Sequence, residues 1–255
     1  MKSIENYTTT YITDDFEIKY QVFYRRKRVL EIMEKYPHQR VLEIGCGMEP
    51  LAGWVHDFDE YVIVEPSEKF VEHAKATLDA SKKVEIIQGC FEDCLDKLSA
   101  RNFDFIIISS LLHEVENPEA FMEALTKIVR DESVIHINVP NASSFHRVLA
   151  LESGLITSLY EKSGKDEIYG HKIVFDMDSL QKFIRNTVRK HGLKEVFLDT
   201  GGISIKPFTH RQMEMCLKND IFDERILDGL YHMVKYMPEL ASEIYVNLRI
   251  TKMVE

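Results

Sequence analysis

The sequence predicts an α/β fold in which helices cover both faces of a mostly parallel sheet. Two patterns support this prediction: short apolar runs recur along the chain, and segments with apolar residues at helical spacing lie between them. Strands that alternate with helices are joined by right-handed crossovers, and such crossovers build a parallel sheet. The chain has 255 residues, enough for one large domain, and no linker or internal repeat divides it. We therefore expect a single domain over residues 1–255.

Seven of the apolar runs are predicted strands. The first, Arg40 to Gly45, ends in glycine, as a buried strand does when it enters a tight turn. The later runs follow in chain order at 61–65, 84–88, 103–108, 134–139, 194–199 and 243–250.

Helices are predicted between these strands. Residues 67–80 carry apolar side chains at helical spacing, and a second helix begins at Asn117. Two later segments, 178–191 and 209–236, are also predicted helices. The aromatic-rich residues before the first strand predict a helical cap, 1–38, across one end of the sheet; a disordered N-terminal tip is the alternative.

The composition disfavours several classes of protein. Acidic residues outnumber basic ones by 42 to 32, a formal charge of −10, which argues against broad nucleic-acid binding because that binding relies on Lys and Arg. No apolar stretch approaches the ~20 residues of a membrane-spanning helix. The polar segment 1–10 lacks the apolar core of a signal peptide, so we expect a cytoplasmic protein without membrane insertion. Four scattered cysteines predict free thiols, with neither a disulfide framework nor a metal site.

The segment Val41–Gly47 contains the most informative motif, VLEIGCG. Gly45 and Gly47 lie where a strand is expected to turn into a helix, and glycine there allows positive φ and close approach of a ligand to the backbone. Glu65 ends the next strand, near the ~20-residue spacing at which nucleoside sites place a ribose-binding acid. Together these features predict a nucleoside-binding site.

Pro50 occupies the third position of the Gly-x-Gly-x-x-Gly pattern that dinucleotide sites need. This departure argues against a pyrophosphate cradle. It therefore places an NAD-dependent oxidoreductase last among the enzyme alternatives.

These motifs resemble those of the class I methyltransferases that use S-adenosyl-L-methionine. The first motif of that family is similar to Val41–Gly47, the second to Val64–Ser67, and the fourth strand with its following loop to 103–110 and 111–115. The resemblance is strong over 40–140 and looser towards the C-terminus. It implies S-adenosyl-L-methionine as cofactor, S-adenosyl-L-homocysteine (SAH) as product, and a Rossmann-like seven-stranded sheet whose last strand is antiparallel.

The resemblance and the motif positions together predict a set of cofactor-binding residues. They are Tyr20, Arg25, Glu43, Gly45, Gly47, Glu65, Pro66, Cys90, Phe91, Glu92 and Ser109. Many relatives have a third glycine where this chain has Glu49, and an aspartate after the third strand where this chain has Cys90, Phe91 and Glu92. We therefore expect the adenine to rest against Phe91, with backbone amides or Glu92 as hydrogen-bond partners.

His113 is the first candidate for a catalytic residue. The segment 112–114 resembles the Leu-His-Asp-Trp segment of small-molecule O-methyltransferases, whose histidine is the general base. An unperturbed pKa of ~6.5 suits that role. In other relatives a histidine in this loop only packs against the cofactor, so both roles stay open. His146 and His171 are the next candidates, and no metal is required.

The functional prediction is a methyltransferase that modifies an oxygen or nitrogen of a small polar metabolite. The segment 139–147 resembles a loop in methyltransferases of cell-surface sugar and natural-product pathways, which favours a capsule glycan or natural-product precursor. We expect the cap and two substrate-side insertions, 141–175 and 207–240, to select the acceptor. The alternatives are an RNA or protein methyltransferase and a noncatalytic S-adenosylmethionine-binding module. No nucleic-acid partner is expected, and a homodimer stays open.

Overall fold

A seven-stranded sheet forms the centre of the computed structural model, which describes residues 16–80, 82–162 and 172–253. The strands are β1 (Arg40–Ile44), β2 (Glu60–Glu65), β3 (Val84–Gln88), β4 (Phe105–Ser109), β5 (Val134–Pro140), β6 (Leu193–Gly202) and β7 (Glu243–Lys252). Their order in the sheet is β3-β2-β1-β4-β5-β7-β6. Among the described strands β7 alone runs opposite to the other six, so its pairs with β5 and β6 are antiparallel and the remaining pairs are parallel. The predicted Rossmann-like sheet with an antiparallel last strand is therefore confirmed.

The central strands form because their apolar side chains pack on both faces of the sheet. Leu42 and Ile44 of β1 belong to one core cluster. The alternate positions of the strand face the other side of the sheet, where Val41 belongs to a second cluster. In β4, Ile106 and Phe105 divide in the same way. Strands that are buried on both faces have continuous apolar sequences, which explains why the sequence pattern predicted the central strands.

Helices supply the outer layer on each face. They are α1 (Val22–Met33), α2 (Glu68–Thr77), α3 (Leu95–Leu98), α4 (Pro118–Thr126), α5 (Phe145–Glu152), α6 (Met177–Lys190), α7 (His210–Lys218) and α8 (Glu224–Met233). Phe121 of α4 and Ile184 of α6 pack in the first core cluster, whereas Ile32 of α1 and Tyr231 of α8 pack in the second.

The segment 209–236, predicted to be helical throughout, contains two helices. Asp220, between α7 and α8, has a φ of 55°, in the left-handed region that interrupts a right-handed helix. Asp223 then begins α8 by accepting hydrogen bonds from the backbone N–H groups of Arg225 at 3.0 Å and Ile226 at 3.3 Å.

The described part of the N-terminal cap begins at Phe16. A π-helical turn, Glu17–Gln21, leads directly into α1. The rest of the cap, and residues 163–171 of the insertion predicted at 141–175, lie outside the described residues.

Three further observations concern the described part of the chain. No helix there is long and apolar enough to cross a membrane. No group of three or more His, Cys, Asp or Glu side chains there could hold a metal ion. Cys46, Cys90, Cys94 and Cys216 are free thiols.

Candidate functional site

A cavity of about 350 Å³ opens at the carboxyl ends of β1 and β4. Ligands of open α/β sheets bind beyond the carboxyl ends of the strands, and small-molecule pockets occupy roughly 300–1,000 Å³. The described residues that line it are Glu17, Val22, Arg25, Arg26, Glu43, Gly45, Cys46, Gly47, Met48, Glu49, Leu51, His73, Ser109 and Ser110. Position and size both suit a small ligand such as a nucleoside.

The glycine turn after β1 forms the floor of this cavity. Gly45 has a φ of 76° and Gly47 a φ of 56°, a region that glycine adopts without strain. A Cβ atom on Gly45 would lie 3.1 Å from the Leu111 side chain, whereas one on Gly47 would meet nothing within 4 Å. Gly45 therefore allows the turn to pack tightly, and Gly47 leaves an open backbone surface that a ligand can approach.

The Glu65 carboxylate holds the glycine turn in place through hydrogen bonds to its backbone. Its Oε2 accepts hydrogen bonds from the backbone N–H groups of Cys46 at 3.0 Å and Gly47 at 3.3 Å, and its Oε1 accepts one from Ser67 at 2.9 Å. Burial raises the pKa of Glu65, while these backbone donors oppose the rise. The structure thus assigns Glu65 a role in holding the turn, and its contact with a ribose stays a prediction.

Glu43 forms part of the cavity wall from within β1. Its carboxylate accepts hydrogen bonds from the Tyr61 hydroxyl at 2.8 Å and from the Leu51 backbone N–H at 3.0 Å. Burial raises the pKa of Glu43 to about 7. Glu43 therefore changes charge near neutral pH at the edge of the candidate site.

Ser110, just after β4, lines the cavity with an unusual backbone conformation. Its φ is 53°, which is uncommon for a residue other than glycine, and its backbone N–H donates to the Asn138 carbonyl at 3.0 Å. Such conformations are concentrated at ligand sites because the surrounding structure holds them in place. The sequence analysis named Ser109 and missed Ser110, since no local pattern marks the left-handed conformation.

The N-terminal segment closes the other side of the cavity. Glu17, Gln21 and Arg25 recur at a spacing of four residues. Arg25 donates to Glu17 at 2.7 Å and to both carboxylate oxygens of Glu243, at 2.8 and 2.9 Å; Gln21 also donates to Glu243, at 2.9 Å. Burial opposes the charge on Arg25, but Glu243 and Glu17 outweigh it and raise the Arg25 pKa. The sequence analysis named Arg25 but missed Glu17 and Glu243; the four-residue spacing is the signal that could have located Glu17.

The cavity brings together only part of the predicted cofactor set. Arg25, Glu43, Gly45, Gly47 and Ser109 line it.

The other members of the set lie elsewhere. Glu65 is buried under the glycine turn and is not among the described lining residues. Tyr20 lines a separate small groove beside α1, and Pro66 is partly buried directly after β2. Phe91 is in the core, where its ring packs against Phe121 with centroids 5.1 Å apart. Cys90 is exposed and Glu92 is partly exposed. The structure thus places Phe91 among core contacts rather than at the cavity wall.

The predicted catalytic histidines are not among the described residues that line the cavity. His113 is buried, its Nε2 lies 3.4 Å from Glu114 Oε1, and its carbonyl accepts a hydrogen bond from the Lys172 backbone N–H at 2.8 Å. His146 lies on α5 and is partly buried. His171 lies outside the described residues. The base role of each stays a prediction.

Comparisons with known proteins agree with this geometry. A family model described as a methyltransferase domain matches residues 17–201. The chain is similar in structure to the plantazolicin methyltransferase BamL, solved with a triazolic desmethylPZN analog and SAH, at 16% identity and a TM-score of 0.52, covering 98% of this chain and 89% of that one. It is also similar to the N-methyltransferase NodS from Bradyrhizobium japonicum WM9, solved with SAH, at 9% identity and a TM-score of 0.55, covering 94% and 90%. No curated protein sequence matches the chain significantly.

Proposed function

This chain belongs to the methyltransferase domain family, as a class I enzyme that uses S-adenosyl-L-methionine, and from that premise we propose that it methylates an oxygen or nitrogen of a small polar metabolite. The observation that carries the proposal is the cavity at the carboxyl ends of β1 and β4, with the open backbone of Gly47 in its floor. A cosubstrate and a small acceptor can meet there.

The residues of the cavity fit the methyl donor. The open surface at Gly47 suits close approach of the nucleoside, and Glu65 lies directly beneath it, where a carboxylate can accept hydrogen bonds from ribose hydroxyls. Glu43 and Ser109 line the cavity beside the same turn, where the aminoacyl end of the donor would lie. The donor supplies a methyl group on a sulfonium, which is already an activated electrophile.

The contribution of the protein to the reaction is mainly alignment. Holding two reactants in the correct geometry can supply roughly 7–11 kcal/mol of the barrier. The buried wall formed by Glu17 and Arg25 restricts water at one side of the cavity, and the fixed glycine turn restricts the donor at the other. An alcohol acceptor also needs a proton removed, whereas a neutral amine needs mainly positioning.

We place acceptor selection in the cap 1–38 and the insertions 141–175 and 207–240. Support comes from α7 in the second insertion, because His210 Nε2 lies 2.7 Å from Gln21 Oε1 of the cap. The segment 139–147 is the basis for favouring a glycan or natural-product precursor. Surface segments carried on a rigid sheet are where binding specificity commonly varies.

The test is incubation of the chain with methyl-labelled S-adenosyl-L-methionine and a library of polar metabolites, RNA and peptides, alongside calorimetry with SAH. We expect SAH binding and labelling of a small metabolite. Labelling confined to RNA or peptides would contradict the substrate class. SAH binding without any transfer would instead indicate a noncatalytic binding module, and NAD binding in preference to SAH would contradict the nucleoside assignment.

A further inference from the structure

Glu17 lies on the β7 side of the cavity, away from the β2 side where Glu65 holds the glycine turn. The sheet order puts Glu65 on β2, then the glycine turn on β1, Ser109 on β4, and Glu243 on β7. Glu17 joins this row at the β7 side, since Arg25 bonds it and Glu243 together. A donor whose ribose lies over Glu65 therefore extends its methylsulfonium towards Glu17.

Glu17 is held in place by a chain of buried polar contacts. Arg25 Nη2 donates to Glu17 Oε1 at 2.7 Å, and the Arg25 guanidinium is in turn fixed by Glu243. Glu243 is fully buried and also accepts a hydrogen bond from the Asn138 side chain at 2.9 Å. Glu17 begins a π-helical turn, an uncommon element that occurs frequently at functional sites. His210 Nε2 also lies 3.7 Å from Glu17 Oε2. A carboxylate can accept about four hydrogen bonds, so Glu17 can bind a ligand N–H while keeping its contacts with Arg25 and His210.

The charges along the wall do not favour an anionic acceptor. Both guanidinium groups among the described lining residues are bonded to carboxylates, Arg25 to Glu17 and Glu243, and Arg26 to Glu49. Counting Glu243, which is buried behind the wall, and leaving out Glu43, three carboxylates surround two guanidinium groups and the His210 imidazole, whose Nε2 lies 3.7 Å from Glu17 Oε2. A negatively charged acceptor would meet like charges there, and a group that becomes cationic would be stabilised.

This charge balance distinguishes the two acceptor chemistries. Methylation of an alcohol develops negative charge on oxygen, which nearby carboxylates destabilise unless one of them accepts the hydroxyl proton. Methylation of a neutral amine creates no anion, because a positive charge moves from sulfur to nitrogen.

We propose that the methyl acceptor is an amine and that Glu17 binds its N–H groups. This inference rests on the proposed function. An aliphatic acceptor first releases its ammonium proton to water, because only the neutral nitrogen has a lone pair. That lone pair forms the new bond to the methyl carbon, the S–CH₃ bond breaks, and its electron pair stays on sulfur. The methylated nitrogen carries the positive charge and then releases a proton to water. Glu17 contacts the acceptor, and Arg25 and Glu243 are positioning residues.

Calorimetry with two ligands tests the role of Glu17. SAH is uncharged at its reacting centre, whereas sinefungin has a primary amine on carbon in place of the methylsulfonium. We expect Glu17→Gln to weaken sinefungin binding by about tenfold or more, through loss of a charge-assisted hydrogen bond, and to leave SAH affinity nearly unchanged. Glu123→Gln, an exposed carboxylate on α4, is the control and should alter neither. Unchanged sinefungin affinity, or equal loss for both ligands in a folded variant, would overturn the assignment of Glu17.

Label transfer to matched pairs of metabolites tests the acceptor class. Each pair carries an amino group or a hydroxyl group on the same carbon. We expect labelled methyl on the amines, with a lower kcat/KM in Glu17→Gln. Label on the hydroxyl members alone would overturn the inference while leaving the proposed function intact. A wild-type protein that binds neither SAH nor sinefungin would contradict the proposed function itself.

Discussion

At the residue scale, the Glu65 carboxylate joins the end of β2 to the glycine turn after β1 through two backbone hydrogen bonds, and it accepts a third from Ser67 after β2. Glu65→Ala leaves those buried donors without their acceptor, so we expect a loss of roughly 3 kcal/mol in unfolding free energy. If Glu65 also binds the ribose, SAH affinity falls by a further ~1.5–3 kcal/mol. Urea unfolding and calorimetry measure the two effects separately. A folded variant with wild-type SAH affinity would refute the ribose contact but not the role in the turn.

The raised pKa of Glu43 predicts a pH-dependent stability. Burial raises this pKa from its ordinary value of 4.5 to about 7, so the folded state keeps a proton that the unfolded chain releases. The resulting stabilisation is complete below pH ~4.5 and is lost as the pH rises through 7. Relative to Glu43→Gln, the wild type should therefore lose roughly 3 kcal/mol between pH 4.5 and 8.

Urea unfolding of both proteins across this range tests the Glu43 prediction. His136 acts in the opposite direction, because burial lowers its pKa to about 4. Its contribution is common to both proteins and cancels in the comparison. A constant difference between the two proteins would show that Glu43 does not titrate in this range.

His113 offers a direct test of acceptor chemistry. If the acceptor is an amine, as inferred above, its ammonium proton leaves to water and no protein base acts during transfer, so His113→Gln should keep most of its turnover at saturating substrate. SAH affinity and turnover across pH are the measurements. A fall of ~10²–10⁴-fold with SAH affinity retained, together with loss of the low-pH inflection, would restore His113 as the general base.

At the element scale, α1 is joined to the sheet by a buried ion pair. Arg25 and Glu243 are both largely buried, so removal of either partner leaves the other charge uncompensated. Arg25→Ala and Glu243→Ala should each lower unfolding free energy by about 3–5 kcal/mol. The double variant should lose less than the sum by at least about 1 kcal/mol.

Denaturant unfolding of the wild type, the two single variants and the double variant measures this double-mutant cycle. The exposed Glu123–Lys127 pair on α4 is the matched control, and its coupling should be only about 0.3–0.5 kcal/mol. Additive losses at Arg25 and Glu243 would mean that the two side chains stabilise the fold independently.

The elements differ in how well local sequence predicts them. The first five strands were predicted because a strand buried on both faces has an uninterrupted apolar run. The break between α7 and α8 was not predicted, because it depends on the left-handed conformation of Asp220, a residue that helices also tolerate. Local pattern therefore located the central elements better than the boundaries of the later ones.

Within the candidate site, too, residues in local motifs were predicted and contacts between distant residues were not. Gly45, Gly47 and Glu65 were predicted as site residues from neighbouring strands and a fixed spacing, and the structure places all three at one turn. The link from Arg25 to Glu243 spans 218 positions, and no local pattern connects them. Likewise, Phe91 was predicted at the adenine because of its place after β3, and no local pattern indicates the contact of its ring with Phe121 of α4. The adenine contact stays a prediction.

At the scale of the whole molecule, ligand binding should raise stability because a folded cavity binds SAH and an unfolded chain does not. At 100 times the dissociation constant the gain is about 2.7 kcal/mol, and for a chain of this size each kcal/mol shifts Tm by about 2–4 °C. We therefore expect SAH to raise Tm by roughly 5–10 °C, measured by calorimetric scanning. NAD at the same concentration is the control and should cause no comparable shift; an equal shift would contradict the predicted nucleoside preference.

The insertion of β7 between β5 and β6 also sets an order of events during synthesis. A ribosome makes Arg25 first, and it makes Glu243 only after 217 intervening residues. Until that strand emerges and pairs, the early helix lacks the partner that fixes Glu17, and the sheet lacks the strand that joins β6 to the rest. Pairings between distant parts of a chain form slowly, since a long loop must close first. The nascent chain can therefore build its glycine turn while still being translated, but it acquires a complete wall around the methyl donor only after β7 has been made.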